Sequence, residues 1–324
     1  MEPLRLGVLD LAPRLSGISA ETALREALLL AQSAEAWGYH RYWVAEHHDI
    51  QGLACPSPEV LLGHIGALTS RIQLGSGALL LPHYSPLKVV ESFHLLSALC
   101  PGRIELGLGR APGGPPHASM ALSGNFLKAV AELPETIRAV MELLQDGYAY
   151  EGQPVTARPL PAVPPVPWLL GTGVRSAEYA ARFGTGYVFG SYMSDKEAEP
   201  VLKQYRRNFE PSLLMPEPRS MVAVAVICAS SAEEAALLAE ESRWPDHVEQ
   251  GERGAGTGTG TGEDKSGPPL LCGTPQQLKE NLEQMAHRCG TGELLIFTPL
   301  KDYEKRRASY RLLAESVLSP GKTI

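Results

Sequence analysis

Cysteine is scarce in this chain of 324 residues, and what there is lies scattered. Cys55, Cys100, Cys228, Cys272 and Cys289 are odd in number, far apart and form no C-x-x-C pair. That excludes a disulfide framework and a zinc ribbon, and it fits a reducing compartment. Free cysteine packs as a small hydrophobe, so a structural role is expected for each. Basic clusters are missing as well. With a net charge of −7 and both signs spread along the chain, nucleic acid is not an expected partner. No apolar run reaches the ~18 residues that a membrane span needs. The opening "MEPLRLGVLDLAP" has neither a basic n-region nor a long apolar h-region, so no signal peptide is read there and a cytoplasmic protein is expected. Finally, none of the nine histidines is followed by another two positions later. The H-x-H pair with which metal-dependent hydrolase barrels usually begin is therefore absent, and no metal site is expected.

What the chain does have is alternation. Short apolar strands are expected at 4–9, 41–46, 72–81, 103–109, 168–171, 186–190, 221–228 and 293–297. Helical spacing follows each of them. In the first helix, 20–37, Leu24, Ala27, Leu28, Ala31 and Ala34 recur at helical intervals, Ser19 stands at the N-cap and Gly38 at the end. Further helices are expected at 57–69, from Pro86 to Pro101, best defined at 134–146 within a helix-rich region, then at 174–183, 195–208, 231–241, 275–288 and 302–317. The strands lack clean alternation, as expected when both faces of a parallel sheet are buried. An open doubly wound sheet has the same rhythm. Eight βα units in one chain favour a closed (β/α)8 TIM barrel, an α/β fold, with insertions. The whole of 1–324 is read as one such domain.

Two stretches interrupt the rhythm. Prolines 154, 159, 161, 164 and 165 mark 147–167 as an irregular insertion with room for a short hairpin. The segment 251–269, "GERGAGTGTGTGEDKSGPP", is a Gly/Thr-rich loop with almost no apolar residue and cannot pack a core. It reads either as a solvent loop or as a lid over the barrel mouth.

Three motifs carry chemistry. In "YWVAEHHDIQG" the second strand ends on Glu46-His47-His48, where barrel enzymes keep their catalytic groups. Adjacent residues on a strand point to opposite sides, so the two histidines do not share one ion. A single inward histidine acting as acid, base or hydrogen-bond donor fits better, with a structural histidine as the alternative. In "PWLLGTGVRSAEYAARFG" an apolar strand runs through Gly171-Thr172-Gly173 into a helix whose first turn holds Ser176. Backbone N–H groups, a helix N-terminus and a hydroxyl suit a phosphate, and Arg110, at the end of the preceding strand, would reach the same anion. An ordinary glycine turn is the plainer reading. In "LGSGALLLP", Gly75 and Gly77 either let a flat ring lie against the backbone or make room for packing.

Together these segments resemble the bacterial luciferase-like flavin-dependent monooxygenases. The resemblance lies in "GYHRYWVAEHHDIQG", "LGSGALLLPHYSPLKVVESFHLLSALCPGRIELGLGRAPGG" and "LLGTGVRSAEYAARFG", and it extends to "CGTPQQLKENLEQM". It implies a (β/α)8 barrel that uses reduced FMN (FMNH2), supplied by a separate flavin reductase, and O2 to oxidise a small organic substrate. By the same resemblance His47 is the active-site histidine and Gly77-Ala78 the pair joined by a non-prolyl cis peptide beneath the flavin ring. Arg110, Thr172, Gly173 and Ser176 become phosphate contacts, and Gly190 and Ser191 lie near the ring. It further implies a homodimer through the helices at 57–69 and 86–99, with Leu61, Leu62, Ile65, Leu95 and Leu96 as surplus apolar surface. The chain departs from luciferase itself, which carries an acid at the position of Thr172 and a reactive cysteine at that of Gly109. These departures point away from light emission. The family's second phosphate-contacting arginine has no clear match within 124–138. Deazaflavin-dependent hydride transfer on the same barrel and a non-catalytic flavin-binding subunit are the alternative functions.

Overall fold

Stretches such as "RYWV" and "MVAVAVIC" are apolar at nearly every position. A strand of this kind has no face to offer to water, so it lies between an interior and a layer of helices. The computed structural model describes residues 3–242 and 269–318. Its elements run β1 (Arg5–Asp10), α1 (Ala20–Ala36), β2 (Arg41–Val44), α2 (Pro58–Ala67), β3 (Gln73–Ser76), β4 (Leu79–Leu80), α3 (Pro86–Leu99) and β5 (Ile104–Gly109). Then come α4 (Pro116–Ser123), α5 (Phe126–Ala131), α6 (Leu133–Leu144), the strand pair β6 (Ala149–Tyr150) and β7 (Gln153–Pro154), β8 (Val166–Gly171), α7 (Val174–Arg182) and β9 (Gly186–Gly190). The chain continues with α8 (Ala198–Arg207), β10 (Ser220–Cys228), α9 (Ala232–Glu241), β11 (Leu270–Gly273), α10 (Pro275–Cys289), β12 (Glu293–Phe297) and α11 (Tyr303–Val317).

Eight parallel strands close a ring in the order β1, β2, β3, β5, β8, β9, β10, β12 and back to β1. This is the (β/α)8 barrel. The Pro-rich insertion contains the antiparallel hairpin of β6 and β7. Three features differ from the sequence reading. The strand expected over 72–81 is two: β3 ends at Ser76, and after the cis Gly77–Ala78 peptide the chain re-enters the sheet as β4 beside β5. The helix-rich region contains two short helices, α4 and α5, before α6. A further strand, β11, pairs with the last four residues of β10, beyond the stretch of β10 that pairs with β9. Of the expected Gly/Thr-rich loop, 251–268 lies outside the described residues, so its reading as lid or linker does too.

Strand parity divides the core into two layers. Tyr42, Val44, Leu294, Ile296, Val222 and Val224 face the helices in one cluster. Leu9, Trp43, Trp168, Val188, Met221, Leu295 and Phe297 fill the barrel interior in another. The two indoles meet edge to face, with ring centroids 5.9 Å apart. They fit because small residues stand opposite them. A Cβ on Gly75 would lie 2.4 Å from the Trp43 Nε1, and one on Gly186 would lie 2.2 Å from the Trp168 ring. One on Gly77 would meet a Leu9 methyl at 2.6 Å. Of the two readings of these strand-end glycines, packing is the one realised at Gly75.

Below the indoles the barrel is closed by charge. Arg41 lies between Glu105, whose carboxylate it meets at 2.7 Å, and Glu293, and the Trp43 Nε1 donates to Glu105 at 2.7 Å. Burial opposes ionisation of Glu293, but Arg41, Arg219 and Arg5 outweigh it and hold its carboxyl below the usual range. A buried cluster of this kind adds little net stability, yet removing one partner strands the others and costs about 3–5 kcal/mol.

The expected interface helices need one correction. Leu61, Leu62, Ile65 and Leu96 are buried within the chain's own core and offer no surplus surface. Of the five named residues only Leu95 is open, at 51% exposure; Val60 on α2 at 70% and Leu99 on α3 at 67% are the other exposed large apolar residues of these two helices. The helix spacing was legible, but which side of α2 and α3 meets the barrel was not.

Candidate active site

The side chains that could do chemistry stand where strands run out into loops. Arg41, Trp43 and Ala45 point into the barrel, and His47 stands two residues further on, in the loop that follows β2 at the mouth. Its backbone N–H donates to the Cys55 carbonyl at 3.0 Å, and the residue is buried.

Its two neighbours hold the loop. Glu46 is 2% exposed, and its carboxylate accepts three hydrogen bonds. The Leu80 N–H donates at 2.9 Å, the Tyr84 hydroxyl at 2.9 Å, and the His48 Nε2 lies 2.6 Å away. The charge of Glu46 and burial together drive the Tyr84 phenol far above its ordinary pKa, burial contributing most. His48 also stacks edge-on against His83, 5.7 Å between centroids, and His83 lies against Phe126 at 5.3 Å. Glu46 thus ties the end of β2 to the segment that follows the cis Gly77–Ala78 peptide. Ala78 returns the contact by accepting the Glu46 N–H at 3.2 Å. The acid beside His47 is a clamp, with donors on both of its oxygens. Among the described residues no group of three or more His, Cys, Asp or Glu could hold a metal ion.

A second cluster forms at the ends of β5, β8 and β9. Arg110 and Ser176 line one cleft together with Leu81, Leu108, Leu133, Ile137, Leu169, Leu170 and Tyr179. The cleft meets the start of α7, whose N-cap Gly173 is extended and has no side chain to satisfy the first N–H groups. Those donors, the helix dipole and Arg110 together suit an anion. The Ser176 hydroxyl donates to the Gly173 carbonyl at 2.8 Å and lies 3.1 Å from the Tyr187 hydroxyl, which donates to the same carbonyl at 3.1 Å. Burial pushes the Tyr187 phenol up to about 12 against the opposing pull of Ser176, Gly173 and Arg110. Thr172 abuts Gly190, its methyl 3.6 Å from the place of a Cβ there, and Ser191 begins the turn that follows.

The geometry therefore brings Arg110, Thr172, Gly173, Ser176, Gly190 and Ser191 into one cluster. It places His47, Gly77 and Ala78 on the adjoining staves. In ring order the strand ends involved are β2, β3, β5, β8 and β9, an unbroken arc of the mouth.

This arrangement coincides with a sequence match. The profile of the luciferase-like monooxygenases fits residues 4–293. The chain belongs to that family. Among its relatives is the uncharacterized protein YwcH of Bacillus subtilis strain 168, 39% identical over 96% of this chain and 98% of that one. Another, from the same organism, is N-acetyl-S-alkylcysteine monooxygenase, 36% identical over 98% and 99% of the two chains. In the crystal structure of apo-MsnO8 a chain 34% identical superposes with a TM-score of 0.86, covering 97% of this chain and 98% of that one. Membership makes the protein an oxidoreductase of the monooxygenase type, and no helix among the described residues is long and apolar enough to cross a membrane.

Sequence reasoning missed part of the luciferase-like site. The loop after β9 folds back on the glycine turn, where the Ser194 hydroxyl donates to the Thr172 carbonyl at 3.0 Å and accepts the Lys196 N–H at 3.1 Å. The signal available was a lone lysine six residues beyond Gly190, and nothing in the sequence says that this loop turns back. Tyr84 and Tyr187, whose hydroxyls complete the two clusters, were missed for the same reason.

Proposed function

We propose that the protein is a monooxygenase that binds reduced FMN, receives it from a separate reductase, and uses O2 to oxidise a small organic molecule. The observation that carries this reading is the convergence of Arg110, Ser176 and the uncapped start of α7 on one cleft at the mouth. The donor set fits a phosphate monoester, which carries about −1.5 to −2 charges near neutral pH.

In this reading Arg110 and the N–H groups at the start of α7 hold the phosphate, with Ser176 and Thr172 beside them. The Tyr187 phenol, pushed up to about 12, stays protonated at neutral pH and fixes the Gly173 carbonyl that shapes the turn. Gly77, Ala78, Gly190 and Ser191 provide the backbone against which the ring lies. Bound reduced flavin supplies the electrons that activate O2. His47 accepts or donates a proton at its imidazole nitrogens next to the reacting substrate, and the Glu46 clamp keeps its loop in place. Two copies are proposed to pair through α2 and α3, where Val60, Leu95 and Leu99 are open to solvent.

The first substrates to try are N-acetyl-S-alkylcysteines, after the name of the Bacillus relative. The test is turnover with reduced FMN and isotopically labelled O2, reading label in the product by mass spectrometry. Labelled product supports the reading. Substrate oxidation that needs a reduced deazaflavin and takes up no O2 would overturn it, as would a protein that fails to bind reduced FMN. Sedimentation that shows a monomer at every concentration refutes the pairing.

A further inference from the structure

The phosphate of FMN needs more charge than Arg110 and a helix end provide. A helix N-terminus counts for roughly half a positive charge, and Arg110 for one, while a phosphate monoester carries up to about two negative charges. No arginine at 124–138 stands as a clear second partner in the sequence.

Across the turn, however, an ammonium is already in place. The Lys196 Nζ lies 3.1 Å from where a Cβ on Gly173 would stand, with its Cδ and Cε at 3.7 and 3.9 Å. It is held there by its backbone, because the buried Ser194 hydroxyl joins the Lys196 N–H to the Thr172 carbonyl. The absence of a side chain at Gly173 is what leaves room for it. The side chain itself is exposed, and it makes no ion pair among the described residues. An ammonium kept at Gly173 stands over the uncapped start of α7, whose third residue, Ser176, lines the cleft with Arg110.

We infer that Lys196 is the second cationic contact of the flavin phosphate in this chain, supplied from the loop after β9. The inference rests on the reading that the cleft binds FMN. Its consequence is that Lys196 discriminates between flavins that carry the phosphate and those that do not.

The experiment compares reduced FMN with reduced riboflavin, which lacks the phosphate, in anaerobic fluorescence titrations of the full chain. The variants are wild type, Lys196→Ala, Lys196→Arg, Arg110→Ala and, as a charge control, Lys203→Ala, which removes an exposed lysine paired with Glu199 on α8. Lys196→Ala is expected to weaken reduced FMN roughly five- to tenfold, leave riboflavin unchanged and flatten the salt dependence of FMN binding. Lys196→Arg is expected to retain most of the affinity, and Lys203→Ala to match wild type. If Lys196→Ala stays within twofold of wild type for FMN while Arg110→Ala weakens it, the inference falls and the flavin reading stands. If the wild type binds FMN no more tightly than riboflavin, both fall together.

Discussion

Removing the Glu46 carboxylate tests whether the acid beside His47 is a clamp. The side chain is 2% exposed and accepts from the Leu80 N–H, the Tyr84 hydroxyl and the His48 Nε2. A hydrogen bond to a charged acceptor contributes about 1.5–3 kcal/mol, and a buried donor left alone costs about 1–3 kcal/mol. The three contacts are not equivalent. Leu80 is buried, so its N–H finds no substitute in Glu46→Ala, whereas His48 and Tyr84 are partly open and water can reach them. Allowing for that, Glu46→Ala should lose about 3–5 kcal/mol. Glu46→Gln keeps an oxygen for Leu80 and turns an NH2 toward groups able to accept, so about 1–2 kcal/mol is expected. Urea denaturation at 25 °C, followed by far-UV circular dichroism, gives both numbers. A double-mutant cycle with Tyr84→Phe should show a coupling of at least 0.5 kcal/mol. A loss under about 1 kcal/mol in Glu46→Ala, or strict additivity in the cycle, would refute the clamp.

Four further outcomes are expected. Gly75→Ala drives a Cβ to 2.4 Å from the Trp43 Nε1 and should destabilise by about 1–3 kcal/mol; a thermal midpoint equal to wild type would mean that the indole has room to spare. Arg110→Ala should weaken reduced FMN about 10- to 100-fold, as for the loss of a charge-assisted contact, measured by the same anaerobic titration. His47→Ala should leave flavin affinity unchanged and lower substrate oxidation roughly 100-fold; wild-type turnover would return this histidine to a structural role. His40 is held from its ordinary 6.5 down to about 4, by burial first and Arg41 next, so the unfolded chain takes up its proton at higher pH than the fold does. Its contribution is therefore present above 6.5 and lost as pH falls toward 4; for this half-buried ring that is about 1 kcal/mol, and His40→Gln should flatten stability measured across that window.

The repeating βα rhythm was readable because each strand is a short apolar run and several helices carry their own caps. Ser19, Ser231, Thr274 and Asp302 all accept from the first turns of their helices, and such local signals survive in a single sequence. That His47 follows the second strand was also readable, although β2 ends at Val44 and not at Glu46. What could not be read is pairing between distant segments. Trp43 needs Gly75, and Trp168 needs Gly186, but an apolar strand buried on both sides gives no sign of which residues point inward. Arg41, Glu105 and Glu293 look like surface charges in isolation; only closure of the ring brings them together. The leucines of α2 erred in the opposite direction, since a helix that is apolar on most sides does not declare which side is left over. Lys196 belongs to the same class of omission, because the turn it covers lies more than twenty positions earlier.

The charged floor of the barrel also governs traffic. With Arg41, Glu105 and Glu293 sealing one end and Trp43, Trp168 and Leu295 filling the middle, the described residues leave the barrel no back door. In the proposed function, flavin, oxygen, substrate and product therefore share the mouth. Whatever binds deepest must therefore arrive before, and leave after, whatever binds above it, so an obligatory order of entry is built into the architecture before any loop moves.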